Sequence, residues 1–187
     1  ANFWALGGSW IVTNEEFMKN LPVISNLKVR SSYGTTGNVS SNLYGGLTYY
    51  GAGGTYNQQS TLSLSQIGNP DLSWELSNTF DLGMDISILK NRISFTVDYY
   101  NRVTDGLLFA VPQPSTVGIT SIWENVGKVK NTGYEFTLTT KNFNREFKWT
   151  TDFNISFNKN RLLELYDGKT ELTSSWSGQR LYVGEDI

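Results

Sequence analysis

The chain has 187 residues, no cysteine and no histidine, and its 15 basic and 17 acidic side chains give a formal net charge of -2. This composition excludes a disulfide framework, a thiolate metal site and a thiol nucleophile, lacks the commonest general base, and leaves no basic footprint for nucleic acid. The longest apolar run near the middle, residues 107–111, falls far short of the ~20 residues of a membrane helix, and the N-terminus lacks the basic and apolar regions of a signal peptide.

In chain order, residues 3–12 read as a strand that begins in mid-course, so the chain is expected to be a piece of a longer protein. Thr13-Asn-Glu-Glu16 has capping-box spacing and Pro22 is a stop, which predicts one short helix near residues 14–21. Leu27, Val29 and Tyr33 then alternate with Lys28, Arg30 and Ser32 in a second strand. Residues 34–70, rich in Gly, Ser, Thr, Asn and Tyr, read as a long loop closed by Asn69-Pro-Asp71.

Between residues 72 and 88 the alternation is strictest. Leu72, Trp74, Leu76, Phe80, Leu82, Met84, Ile86 and Ile88 take one face, with only Asn78 polar among them, and the odd positions carry no large apolar group. At about 3.3 Å per residue such a strand spans roughly 56 Å, well beyond an ordinary globular strand. The four residues 89–92 turn it into an antiparallel partner with Ile93, Phe95, Val97 and Tyr99 on one side. A second long loop at 106–125 contains Pro112 and Pro114. Tyr134, Phe136 and Leu138 begin another hairpin, which turns at 141–146 and returns through Phe147, Trp149, Phe153, Ile155 and Phe157, ahead of a less regular polar tail at 158–177.

The reading is therefore all-β: about six long antiparallel strands, short turns at one end and long loops at the other. That asymmetry belongs to bacterial outer-membrane β-barrels, with short periplasmic turns and long extracellular loops. Lys28, Arg30, Glu75, Asp81 and Asp85 are the lumen-lining candidates.

Seven segments carry a resemblance. They are Asn26-Leu-Lys-Val-Arg-Ser-Ser-Tyr-Gly-Thr-Thr-Gly-Asn38, Gly68-Asn-Pro-Asp-Leu-Ser-Trp-Glu75, Phe80-Asp-Leu-Gly-Met-Asp85 and Leu89-Lys-Asn-Arg-Ile-Ser-Phe-Thr-Val-Asp-Tyr-Tyr100. Asn125-Val-Gly-Lys-Val-Lys-Asn-Thr-Gly-Tyr-Glu-Phe136, Phe157-Asn-Lys-Asn-Arg161 and Val183-Gly-Glu-Asp-Ile187 follow. In this order and spacing they resemble the C-terminal barrel of SusC/RagA-type TonB-linked (TonB-dependent) outer-membrane proteins. The resemblance implies a segment of a plugged transmembrane barrel of about 22 strands, with residues 1–187 inside one barrel domain and the plug and closing strands absent. It further implies import of oligosaccharides or peptides with a SusD-like surface lipoprotein, with TonB engaging the missing N-terminal region.

No catalytic or metal-ligating set emerges. Asp81 and Asp85 share a face but stand roughly 13 Å apart along a strand, too far for a glycosidase pair, so no enzyme and no cofactor are expected. Asp98 and Asp152 read as isolated, solvated acids on wet faces. Gly51-Ala-Gly-Gly54 lacks the Lys-Ser/Thr ending of a phosphate loop, and the sequons Asn38-Val-Ser40 and Asn154-Ile-Ser156 are incidental in a bacterial barrel. Trp74, Phe80, Tyr99, Phe147 and Trp149 suit a lipid-facing or girdle position. Tyr49, Tyr50, Tyr56 and Trp123, in or beside the loops, are the substrate-contact candidates. Two other readings stand beside the importer: a soluble all-β carbohydrate-binding module and a small self-contained outer-membrane barrel.

Overall fold

Alternating side chains become strands along most of the computed structural model, which describes residues 2–39, 44–114, 116, 118–173 and 180–187. In chain order these are β1 (Ala5–Ile11), β2 (Ile24–Asn38), β3 (Tyr49–Tyr56), β4 (Gln59–Gln66), β5 (Glu75–Ile88) and β6 (Ile93–Asp105), then β7 (Leu108–Pro112), β8 (Ser121–Asn125), β9 (Lys128–Asn144), β10 (Lys148–Glu164), β11 (Glu171–Thr173) and β12 (Arg180–Tyr182). Six form one antiparallel sheet in the order β1-β2-β5-β6-β9-β10. The other six form three two-stranded hairpins, β3–β4, β7–β8 and β11–β12. The first two hairpins each interrupt a long connection between sheet neighbours, and all three lie beyond the same end of the sheet. The opposite end has the turns at 89–92 and 145–147 and the connection 12–23.

Register carries the apolar stripe across the sheet. Trp10, Val29, Met84, Val97, Phe136 and Ile155 form one continuous row, and Leu6, Tyr33 and Phe80 stand two rows away on the same side. Rings meet across the strands at 5.0 Å for Tyr99–Tyr134 and 6.3 Å for Phe136–Phe157. No second layer among the described residues covers this face: Leu82, Tyr134, Phe153 and Phe157 are all exposed, Phe157 by 57%. The buried residues lie elsewhere. Val129, Leu162 and Leu165 cluster at the loop end with Leu107, Leu172, Leu181 and Val183.

Five expectations change. The helix near 14–21 is absent, replaced by 3₁₀ turns at Val12–Asn14 and Glu16–Met18. Neither turn has a side-chain cap: the box acid Glu16 pairs with Lys19, Glu15 beside it accepts from Trp10 Nε1 at 2.9 Å, and the segment is too short to offset helix nucleation. The strand expected at 72–88 starts at Glu75, because the Ser73 backbone bonds to the Asn125 side chain instead of a ladder. The loop expected at 34–70 contains the end of β2 and the hairpin β3–β4, turned by left-handed Asn57 and Gln58, and Gly51 to Gly54 lie within β3. The loop at 106–125 likewise holds β7–β8. The tail after residue 158 is regular as far as Glu164, since β10 stays paired with β9. Ser40 of the first sequon lies outside the described residues, as do residues 174–177 of the tail.

Two bulges adjust the faces near the turn end. Trp149 pairs with Phe143 and Thr150 with Lys141, so Asn142 is the extra residue. It returns Phe143 to the apolar side, where its ring lies 6.0 Å from Trp149 and 5.9 Å from Phe147. The β5–β6 turn runs through three successive left-handed residues, Leu89, Lys90 and Asn91, with φ of 53°, 58° and 60°. Such a turn follows the twist of the strands it joins, and Asn91 N–H donates to Ser25 Oγ at 3.2 Å. Lys90→Pro, whose ring fixes φ near -65°, is expected to cost more than about 1 kcal/mol in denaturant unfolding of the full-length protein. Lys90→Gly is expected to hold stability or raise it by up to about 1 kcal/mol.

Candidate functional site

Opposite the apolar stripe the sheet is polar, and register decides which polar groups meet. Lys28 lies beside Asp85, Arg30 beside Gly83 and Ser32 beside Asp81, and Gly83 in turn faces Asp98 on β6. Because Gly83 has no side chain, the Arg30 guanidinium crosses β5. Its Nη2 reaches Asp98 at 2.7 Å while its Nε bonds Asp85 at 3.3 Å. Asp85 also accepts from Thr96 Oγ1 at 3.1 Å, and Asp81 accepts from Ser32 Oγ at 3.2 Å. One strand pair further on, the Tyr100 ring lies over Gly133 and its hydroxyl donates to Asn158 at 2.9 Å. Of these groups Arg30, Ser32, Asp81, Asp98, Tyr100 and Asn158 border an open groove of about 740 Å³, together with Arg102, Asn131 and Glu135.

Lys28, Arg30, Asp81 and Asp85 thus share one face. Glu75 is on the same side but at the root of the loops, accepting from Asn38 Nδ2 at 2.9 Å and from the Leu108 backbone N–H at 2.8 Å. Asp98 is not the isolated acid expected, since it is the nearest partner of Arg30. Nor is Asp152 alone, because Thr139 Oγ1 donates to it at 2.6 Å. Sequence alternation put Asp98 on the wet face. Its pairing with Arg30 across an intervening strand depends on Gly83, which only the register reveals.

The loop candidates do not form one cluster. Tyr49, Tyr50 and Tyr56 stand exposed on β3, Tyr56 by 80%. Trp123, half-buried on β8, borders a cavity of about 340 Å³ with Leu64, Gln66, Ile119 and Thr120. What joins the loops is a pair of asparagines. Asn125 Oδ1 accepts from Ser73 N–H at 2.6 Å, and its Nδ2 donates to the carbonyls of Ser73 and Gly106 at 2.9 and 3.0 Å. Asn69 Nδ2 donates to the Trp123 carbonyl at 3.0 Å. On the other side, Phe109 stacks on Tyr166 at 5.9 Å, and Leu107, Leu172 and Leu181 all pack against the cluster of Val129, Leu162 and Leu165. All three outward connections are therefore tied at their roots.

A Cβ on Gly83 would lie 2.6 Å from the Arg30 guanidinium carbon, whereas one on Gly8 would meet nothing within 4 Å. Gly83→Ala is expected to cost about 1 kcal/mol by displacing Arg30 from Asp98, a modest figure because the pair is partly exposed. Gly8→Ala is expected to be neutral or stabilising by up to about 1 kcal/mol. Paired denaturation curves of the full-length protein check the difference in sign.

Residues 1–183 match the family of TonB dependent receptor-like β-barrels. Among curated relatives, a TonB-dependent receptor of Formosa agariphila is 40% identical over 89% of this chain and 16% of its own length. The TonB-dependent receptor SusC of Bacteroides thetaiotaomicron is 31% identical over 89% of this chain and 17% of its own. The chain therefore spans less than a fifth of these relatives. Among solved structures, the RagAB peptide transporter matches with a TM-score of 0.89 at 30% identity, covering 98% of this chain and 20% of that one. The RagAB peptide importer matches in its 'open-open' and 'closed-closed' states with TM-scores of 0.87 and 0.89.

Proposed function

This chain belongs to the TonB dependent receptor-like β-barrel family, whose members are outer-membrane receptors and transporters, and we propose that it is part of the barrel wall of a SusC/RagA-like importer. In this reading the apolar stripe faces lipid and the polar face lines a watery passage. The full-length protein takes up oligosaccharides or peptides, works with a SusD-like surface lipoprotein and draws energy through TonB.

The uncovered apolar stripe carries the reading. It crosses all six strands, and no described layer packs on it. Burying the aromatic and aliphatic side chains is favourable by roughly 25 cal/mol per Å², and a bilayer accomplishes this without a second sheet. Every internal strand is hydrogen-bonded on both sides, as hydrocarbon requires. A soluble sandwich would need a sheet facing this stripe, and the remaining described strands are short hairpins at one end.

Lys28, Arg30, Asp81 and Asp85 then belong to the passage wall, and Glu75 to its outer rim. The passage offers donors and acceptors in place of an active site. Tyr49, Tyr50, Tyr56 and Trp123 are the groups we assign to cargo contact, since the exposed rings of the three tyrosines and the edge of Trp123 on its cavity can stack on sugar rings and apolar side chains alike. The segment resembles both states of the RagAB importer equally well, which supports a static role for this part of the wall.

Two measurements test the reading. Full-length protein is expected in the outer-membrane fraction, and deletion of TonB is expected to abolish uptake of labelled maltooligosaccharides or casein-digest peptides. Uptake that persists without TonB overturns it. The two faces are tested by neighbouring lysines. Phe136→Lys, on the apolar face, is expected to cost about 2–4 kcal/mol in lipid vesicles, and Thr137→Lys, on the polar face, less than about 1 kcal/mol.

A further inference from the structure

The apolar face of β9 and β10 does not end at the aromatic row. Continuing toward the loops in unbroken register, the pair Phe157–Tyr134 is followed by Lys159–Thr132 and then Arg161–Lys130. The alternation keeps all three cations on the side of Phe153, Ile155 and Phe157. Together with Thr132 they line a surface depression of about 170 Å³.

Their charge is uncompensated. Arg30 has Asp85 and Asp98, and Lys128, one step further out, holds Asp105 at 2.9 Å and Glu164 at 3.9 Å. Lys130, Lys159 and Arg161 have no ion-pair partner among the described residues. One strand away, Asn101 faces Thr132 at the same level, and its Oδ1 is buried without a hydrogen-bond partner among the described residues. Aliphatic groups, then tyrosines, then cations is the order in which a membrane-facing surface passes from hydrocarbon into headgroups.

We propose that Lys130, Lys159 and Arg161, with the Thr132 hydroxyl, form a binding site for a phosphate of an anionic lipid headgroup in the outer leaflet. Two primary ammoniums and a guanidinium around one depression supply charge-assisted hydrogen bonds to phosphate oxygens. The phosphate is brought to this height by its own acyl chains, which lie along Phe157, Ile155 and Phe153 below. The site rests on the proposed lipid-facing orientation of this stripe.

The test uses the purified full-length protein in detergent, with native mass spectrometry against added phosphorylated lipid A. Replacing the three cations (Lys130→Gln, Lys159→Gln, Arg161→Gln) is expected to weaken lipid retention about a hundredfold, at roughly fivefold per cation near an anionic lipid surface. The charge-preserving set Lys130→Arg, Lys159→Arg and Arg161→Lys is expected to retain it within about fivefold. Inorganic phosphate at a thousandfold excess over the lipid is expected not to compete, which places the affinity in the lipid rather than in a free anion. Equal retention by the glutamine variant overturns the site, as does competition by inorganic phosphate. Fractionation of the wild-type protein separates this outcome from failure of the barrel reading: outer-membrane location without lipid retention removes only the site.

Discussion

Backbone pairing under a fixed register is the constraint on which the other features depend. A shift of one residue between any two strands would send an apolar row to the polar side and a charged row to the apolar side. The six strands avoid this by keeping continuous pairing through their middles and confining the irregularities to the strand ends, at Asn142 and Ser25 near the turns and at Leu163 near the loops. The stripe of Trp10, Val29, Met84, Val97, Phe136 and Ile155 follows from that continuity, as does the meeting of Arg30 with carboxylates on two other strands.

The polar face answers a different demand. A charge on a wall must be kept from disrupting the ladder beneath it, and long side chains must lie along the surface if a passage is to remain open. Gly83 and Gly133 meet both needs. Each removes one side chain, so that Arg30 and Tyr100 lie flat across a strand and find partners on the far side. The result is a face with charge of both signs, in which one guanidinium, that of Arg30, is shared between the carboxylates of Asp85 and Asp98.

Strand identity was legible in the sequence wherever period-two alternation ran unbroken, which is why the two hairpins β5–β6 and β9–β10 and the two-faced sheet were anticipated. The pairings β1–β2, β2–β5 and β6–β9, by contrast, join strands with no short turn between them to announce the partner. The boundaries were not legible. Alternation persists through Leu72 and Trp74, but Asn125 captures the Ser73 backbone first, and no local pattern announces a partner 52 residues away. Phe143 was hidden because a bulge inverts parity, β3–β4 because its Gly- and Ser-rich strands lack an apolar face, and β7–β8 because five-residue strands are too short to show a period. The capping-box pattern at Thr13 to Glu16 produced only two 3₁₀ turns, because so short a segment does not offset the cost of helix nucleation. For the candidate site, Lys28, Arg30, Asp81 and Asp85 were readable from alternation alone. Asp98 as a partner, Tyr100 and the bridging glycines needed three strands in register at once.

Tying the outward connections at their roots separates two kinds of variation. Asn125, Asn69 and Glu75 bind near the points where chain leaves the sheet, so the hairpin tips beyond them carry no duty toward the wall. Lengthening such a tip adds little closure entropy and leaves every pairing below unchanged. A scaffold of this kind can exchange its outer segments like interchangeable heads on a common handle. Sequence change at the tips of β3–β4 and β7–β8 would then leave the strands beneath unaltered.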